Sequence, residues 1–559
     1  MVRRNLQPNS TVRAAPSRAV ALMLLALAAS TSSGCLQLRR FVVPPPDPSR
    51  EGIVGKEKQP SRPLADTVLI VGHLAGHPDG RAVALRAGEV IAVGTPAEVT
   101  PVQGPLTQVV RVSQGWATQG LVDAHVHLEG AAMRADAADL TAVTDGNGLT
   151  RAARLVRASM TGWLWGFGLS QAAFDGMDAA EVDAALDETP AYLSRADGHG
   201  ALLSSALVEQ LPRELAEQVR KNGNKVSGPL ASQVWRALPA WPLVRLRPLL
   251  RQLLLQFERR GVTEVHAIGE SQALLETLFS LEAAGQLAVR VRLYFDAERP
   301  EGRALLAGKY KRVPSRAVVV AGAKLWLDGT LGARSAALLQ PYSDQPGHSG
   351  TLNYSDAQVA DVLAQADKQG IQLAVHAIGD AAVEQILRVS EGLHRDPAAL
   401  AVRIEHAQVV APTQLARIKT GRFECSVQPR HRHADAEFAQ ARLGTERMNW
   451  AYRGIGLADV CPVRAGSDAP VVVSDPLGDL KVMLETPPVQ LGATLDQSDL
   501  AGLAWRALGP MGTRQALKPL RVGDRSDWVI WSADPRDPKL GAVPQWTIIR
   551  GVVRQIVPE

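Results

Sequence analysis

Cysteine is scarce in this chain, with three in 559 residues. Only Cys425 and Cys461 lie beyond the first few dozen positions. Two cysteines cannot build a thiolate zinc site, and they are compatible with either one disulfide or two buried free thiols. Long apolar runs are lacking as well: AVALMLLALAAS, residues 19–30, is too short for a typical spanning helix. There is no dense Lys/Arg block with interleaved aromatics, and a formal charge of +5 is thin over this length. Nucleic-acid binding is therefore not expected. What remains is ordinary globular chemistry, 46% hydrophobic and 21% charged, enough for a sizeable core and unlike a disordered chain.

The apolar run has the length of a secretory h-region and follows Arg3, Arg4, Arg13 and Arg18. After it comes TSSGC, whose Gly34-Cys35 resembles a bacterial lipobox, although Ser32 stands where that pattern usually has Leu. The expectation is a signal peptide over 1–35 with Cys35 as the lipidated N-terminus, a plain signal peptide being the alternative. The protein is then exported to the bacterial cell envelope, on the periplasmic side of the outer membrane or at the cell surface. The lipid anchor is its sole membrane contact. Residues 36–65, rich in Pro and charge, read as a tether.

TVLIVGHLAG and AVALRAGEVIAVG alternate apolar and small residues around glycine turns, as short antiparallel strands do. From residue 121 the rhythm becomes short apolar strands separated by helical patterns such as ALLETLFSLEAAG and DAQVADVLAQADKQG. This alternation predicts a parallel sheet covered by helices. The strand candidates are LVDAHVHL, WLWGFGL, AYLSRAD, VTEVHAI, VRVRLYF, AKLWLDG, IQLAVHAI, VRIEHAQ, FECSVQP and VRAGSDAP, ten for the eight places of a barrel. The expected architecture is an α/β (β/α)8 TIM-like barrel over 119–470, with a helical insertion at about 205–260 and the last barrel helices at 471–515. DRSDWVIWSADP and WTIIRGVVRQIV return to strand character, so 66–118 and 516–559 are expected to form one small β-sandwich domain from both ends of the mature chain. The Leu-rich stretch LRPLLRQLLLQFERRG reads as a packing face.

His125 and His127 lie one residue apart in LVDAHVHL, so strand alternation points both imidazoles to the same side. Such a pair can share a metal ion, and by itself it equally suits two polar residues at a strand end. Four more candidate ligands stand at strand ends: Lys324, His376, His406 and Asp468. In a barrel, that end is where active sites are built.

GLVDAHVHL, SRADGHGALLSSAL, GVTEVHAIG, KLWLDGTLGARSAALLQPYSDQPGHSG, VHAIGDAAVEQIL, RIEHAQ, SVQP and AGSDAPV together resemble the metal-dependent amidohydrolase superfamily, and within it the YtcJ-like, or amidohydrolase-3, branch. The resemblance runs from about residue 67 to the C-terminus. It implies one or two divalent metals per chain, zinc foremost. His125 and His127 would hold one and His376 and His406 a second, with Lys324 bridging as a carbamate. Asp468 would bind metal and accept a proton from the attacking water. A lysine ammonium has no lone pair, and carboxylation by CO2 supplies two anionic oxygens.

The implied reaction is hydrolysis of a carbon–nitrogen bond other than a peptide bond, in an N-substituted amide, formamide or cyclic amide, by attack of metal-bound hydroxide. An ester or lactone hydrolase or a deaminase uses the same logic, and a catalytically silent substrate-binding lipoprotein is the alternative of another class. His199 is the candidate for polarising substrate, with Asp197, His266, Arg334 and Gln428 as candidate substrate contacts. Asp197 also suits a turn and Arg334 a loop anchor. Asp123 reads as support for its own strand end. QPRHRH, with His431 and His433, departs from the commoner family wording. The partner is a small-molecule substrate, and a homo-oligomer is compatible with the sequence.

Overall fold

The computed structural model describes residues 63–557 apart from 158–161, 196–197, 199, 394, 397, 488–489, 491–496, 511, 515–520 and 525–526. The signal and lipidation expectations for residues 1–35 lie outside the described residues, as do Asp197 and His199.

Eight strands form one parallel sheet in the sequence order Leu121–Val126, Val262–Glu270, Arg290–Asp296, Val318–Trp326, Gln372–Ala377, Val402–His406, Phe423–Val427 and Val463–Ala465. Below they are the first to eighth strands. The chain closes them into a barrel just past the eighth strand, where the Asp468 amide donates to the His125 carbonyl at 2.7 Å and the His127 amide to the Ala469 carbonyl at 2.8 Å. A glycine is required at this seam: a Cβ on Gly466 would lie 2.3 Å from the His125 nitrogen. Helices between the strands start at side-chain caps, Ser271 accepting from the Leu274 amide and Ser355 forming a capping box with Gln358. Each turns an apolar stripe, such as Val359, Leu363 and Ala366, onto the sheet.

The ten strand candidates resolve by sheet membership. WLWGFGL and AYLSRAD are strands, but they pair parallel with each other in a separate five-stranded sheet between the first and second barrel strands. Both are buried apolar runs, and periodicity alone does not distinguish one buried sheet from another. The segment separating those barrel strands therefore begins just after His127 and carries its own sheet, so it exceeds a helical insertion at 205–260. It returns through helix Leu243–Arg259, whose buried Leu246, Leu250, Leu254 and Phe257 pack against the neighbouring helices, giving the leucine stripe a core role.

Both ends of the described chain enter one seven-stranded sheet, in which Trp528–Trp531 runs antiparallel to Gln108–Gln119. Gly120 alone separates that second strand from the first barrel strand. Among the described residues no helix is long and apolar enough to cross a membrane.

Candidate metal centre

The C-terminal ends of the strands bring the ligand candidates together. His125 arrives on the first strand and His127 just past its end, Lys324 on the fourth, His376 on the fifth, His406 at the end of the sixth, and Asp468 just past the eighth. His406 and Asp468 take left-handed backbone, φ 73° and 59°. Non-glycine residues rarely adopt this conformation, which here turns both side chains inward at the strand ends.

Nε2 of His125 lies 3.4 Å, and Nε2 of His127 3.1 Å, from Oδ1 of Asp468. Two donors each about 2.0–2.1 Å from a tetrahedral cation are separated by roughly 3.3 Å, so this triad has the spacing of a metal site. The other ring nitrogens are engaged behind it: His125 Nδ1 stands 2.6 Å from Glu405 Oε2, and His127 Nδ1 2.8 Å from the Ile268 carbonyl. These contacts place the protons on Nδ1 and direct the Nε2 lone pairs at Asp468. His125 Nε2 and Asp468 Oδ1 are buried without a hydrogen-bond partner, which a cation would supply.

The electrostatics suit the same group. Burial, followed by the Lys324 charge, holds His125 well below the ordinary imidazole value, and burial and then His376 do so for His406. Both rings are neutral, as ligation demands. Burial opposes the charge on Asp468, and the direction is reversed, to well below the usual carboxylate value, only by positive charge at the position of the surrounding imidazoles, His125 foremost, which with neutral rings is charge that a cation would supply. Lys324 is fully buried with Nζ lacking a hydrogen-bond partner. Burial, against the opposing pull of Glu405 and Asp468, lowers its pKa to about 8.

His376 Nε2 lies 3.0 Å from the Gly329 carbonyl and 3.5 Å from Asp328, while its ring centroid is 4.5 Å from that of His406. Asp328 is itself fixed by the amides of Ala337, Ile378 and Gly379. Asp123 accepts from the Ser467 and His125 amides, the strand-end support expected of it.

Three substrate-contact candidates have other partners. Arg334 makes a forked pair with Asp344, at 3.1 and 3.0 Å, and serves as a loop anchor. His266 lies deeper in the barrel, between Glu264 Oε1 at 3.1 Å and Arg403 Nη1 at 2.7 Å. Gln428 Oε1 sits 2.8 Å from His406 Nδ1 and orients that ring.

Two participants were not singled out beforehand. Glu405 and Arg403 form a fully buried pair at 2.7 Å behind His125. Their signal was available in RIEH, where two charges alternate along an otherwise apolar strand. His431, in the departing loop QPRHRH, enters a second triad with His406 and Asp468.

The sequence pattern of the amidohydrolase family matches residues 114–485. YtcJ of Bacillus subtilis (strain 168) is 26% identical over 424 residues, covering 71% of this chain and 78% of that protein. An N-substituted formamide deformylase of Arthrobacter pascens is 24% identical over 366 residues, 60% of this chain and 67% of that one. The crystal structure of an uncharacterized metal-dependent hydrolase from Pyrococcus horikoshii OT3 superposes with a TM-score of 0.69 at 23% identity, covering 84% of this chain and 98% of that one.

Proposed function

This chain belongs to the amidohydrolase family and is a metal-dependent hydrolase, and from that premise we propose that it cleaves a carbon–nitrogen bond outside peptides, in an N-substituted amide, formamide or cyclic amide. The observation that carries the reading is the convergence of two imidazole nitrogens on one buried carboxylate, His125 Nε2 and His127 Nε2 on Asp468. The formamide deformylase among the relatives, by its name, acts on a bond of this kind.

His125, His127, His376, His406 and Asp468 would hold the divalent cation or cations, with Lys324 joining as a carbamate. Histidine and carboxylate donors suit zinc and admit iron, manganese, cobalt or nickel. When bound, the cation supplies Lewis acidity, polarising a carbonyl and lowering the pKa of water. The residues do the rest. Asp468 takes the proton of the attacking water and returns it to the departing nitrogen, a transfer its low proton affinity favours only once the leaving group is basic. Glu405 keeps His125 oriented, and Gln428 keeps His406 oriented. Carbamate formation on Lys324 joins its neutral amine nitrogen to the carbon of CO2 and releases one proton.

The test is a panel of N-formyl amines, N-substituted amides and cyclic amides, offered to zinc-reconstituted protein alongside peptides, esters and lactones. Turnover of the first three classes, abolished by a chelator and restored by zinc, is the expected result. Turnover confined to esters or lactones overturns the bond assignment.

A further inference from the structure

His127 stands at the N-cap of helix Leu128–Arg134: its carbonyl accepts from the Ala131 amide at 2.8 Å, and its own side chain makes no capping bond. Cap residues are normally Ser, Thr, Asp or Asn, whose side-chain oxygen accepts from one of the first amides of the helix. An imidazole aimed at Asp468 is not free for that role. The acceptor comes instead from the second strand. Glu270, its last residue and 3% exposed, accepts through Oε1 from the Leu128 amide, and the Glu129 amide approaches Oε2 at 3.3 Å.

The strand is irregular just before this residue. Its register with the third strand shifts between Ile268 and Glu270, across Gly269 with φ 75°, and such a shift re-aims the side chain that follows. Ahead of the shift, the Ile268 carbonyl stands 2.8 Å from His127 Nδ1; beyond it, Ser271 donates to Glu129 Oε2 at 2.6 Å. One strand end thus grips the imidazole, the backbone that follows it and the next side chain but one. His125 is fully buried against a carboxylate, whereas the His127 side chain is 30% exposed and has only a neutral carbonyl behind its ring, so its aim depends more on where its backbone is held. We propose that Glu270 is a positioning residue for His127: it supplies from another strand the helix cap that His127 does not, and so sets Nε2 toward Asp468 before a cation arrives. Without it the Leu128 amide is buried with no acceptor, and the first helical turn must shift to find one, carrying His127 with it. The inference rests on the metal-dependent reading above.

The experiment compares full-length wild type with Glu270→Ala, Glu270→Asp and Glu270→Gln. Glu258→Ala is the control for loss of a buried carboxylate, since Glu258 accepts from Thr547 of the small sheet instead. Hydrogen exchange read by mass spectrometry follows peptides covering 124–134 in the metal-free proteins, and competition against a chromogenic chelator gives zinc affinity. In Glu270→Ala and Glu270→Asp, which remove or withdraw the acceptor, exchange is expected to rise about tenfold and zinc affinity to fall about 10–100-fold. Glu270→Gln keeps a carbonyl oxygen and should restore both towards wild type, while Glu258→Ala lowers the melting temperature and moves neither. Should Glu270→Ala fail to fold, as judged by circular dichroism, Glu270→Asp decides. Wild-type zinc affinity in the Glu270→Ala and Glu270→Asp proteins overturns the proposal and leaves the metal-dependent reading standing, as does an equal loss in Glu258→Ala or in Glu270→Gln. A wild type that binds no zinc overturns both.

Discussion

Glu405 Oε2 lies 2.6 Å from His125 Nδ1, and this single contact decides which nitrogen of the imidazole faces Asp468. The carboxylate is in turn held by Arg403, whose side chain is wholly buried and also reaches Ser426 and the Ala124 carbonyl. A chain of buried polar contacts thus runs from Glu264 and His266 through Arg403 and Glu405 to His125, in a barrel interior more often filled by aliphatic layers.

Replacing Glu405 with Gln keeps the shape and removes the charge. Metal affinity should fall by about 10–100-fold, the usual cost of losing such an orienting carboxylate. Competition against a chromogenic chelator measures it. Because the change leaves Arg403 buried without its charge partner, the melting temperature should fall too. Unchanged affinity in a destabilised protein would make the pair structural only.

Asp468→Asn should fold, since the backbone bonds closing the barrel at this residue do not involve the side chain. Without a proton acceptor, turnover should drop by about 10²–10⁴-fold. The comparison is made at matched metal content, because the same carboxylate faces both triads. Near wild-type turnover at full metal loading would remove Asp468 from its proton-transfer role.

Lys324 predicts a pH dependence with a definite sign. Its pKa falls from 10.5 to about 8 in the folded chain, chiefly through burial. Between those two values the unfolded chain binds the extra proton, so stability of the uncarboxylated, metal-free protein rises with pH across that window and is flat below it. Below pH 8 the buried charge costs on the order of 3 kcal/mol, and Lys324→Met, which removes it, should melt higher than wild type in the metal-free state at neutral pH. Carbamate formation needs the neutral amine, so at equal dissolved CO2, with bicarbonate adjusted to keep it constant, metal reconstitution of wild type should be faster at pH 8 than at pH 7. Lys324→Met should show no bicarbonate effect. A bicarbonate effect that survives in Lys324→Met would place the CO2 elsewhere.

The strand ends were legible because alternation is local: a histidine two residues from another on a strand shares its face, and ligand candidates fell at the ends of apolar runs. The barrel and a small β domain built from both chain ends follow from the same rhythm, the expected sandwich being one continuous seven-stranded sheet among the described residues. Sheet membership was not legible. WLWGFGL and AYLSRAD carry the same buried-strand pattern as the eight barrel strands, and only their pairing partners assign them to another sheet. The position of His431 depends on Arg430 reaching Asp479, 49 residues away, and no local pattern contains that distance. Arg334 was ambiguous for a related reason, since a guanidinium in a loop serves an anion of either protein or substrate, and Asp344 takes it here.

Arg236 supplies a further test, of how the insertion is held to the barrel. It sits on helix Gly228–Ala237 and reaches across to the third strand, Nε donating to Asp296 at 2.8 Å and Nη1 pairing with Glu298. Its guanidinium also lies 5.3 Å from the centroid of the Trp326 ring, which is in turn 5.3 Å from Lys324 Nζ. The contact therefore joins the insertion to the wall of the candidate metal centre. Arg236→Ala removes a largely buried ion pair and leaves Asp296 without its cation, so the helix should open locally more often while the barrel stays closed. Hydrogen exchange read by mass spectrometry should rise at least tenfold in peptides covering 228–237, with metal content unchanged. If exchange there stays at the wild-type rate, the aromatic packing around Trp235 holds the helix without help from Arg236, and the insertion is fixed by apolar contact alone.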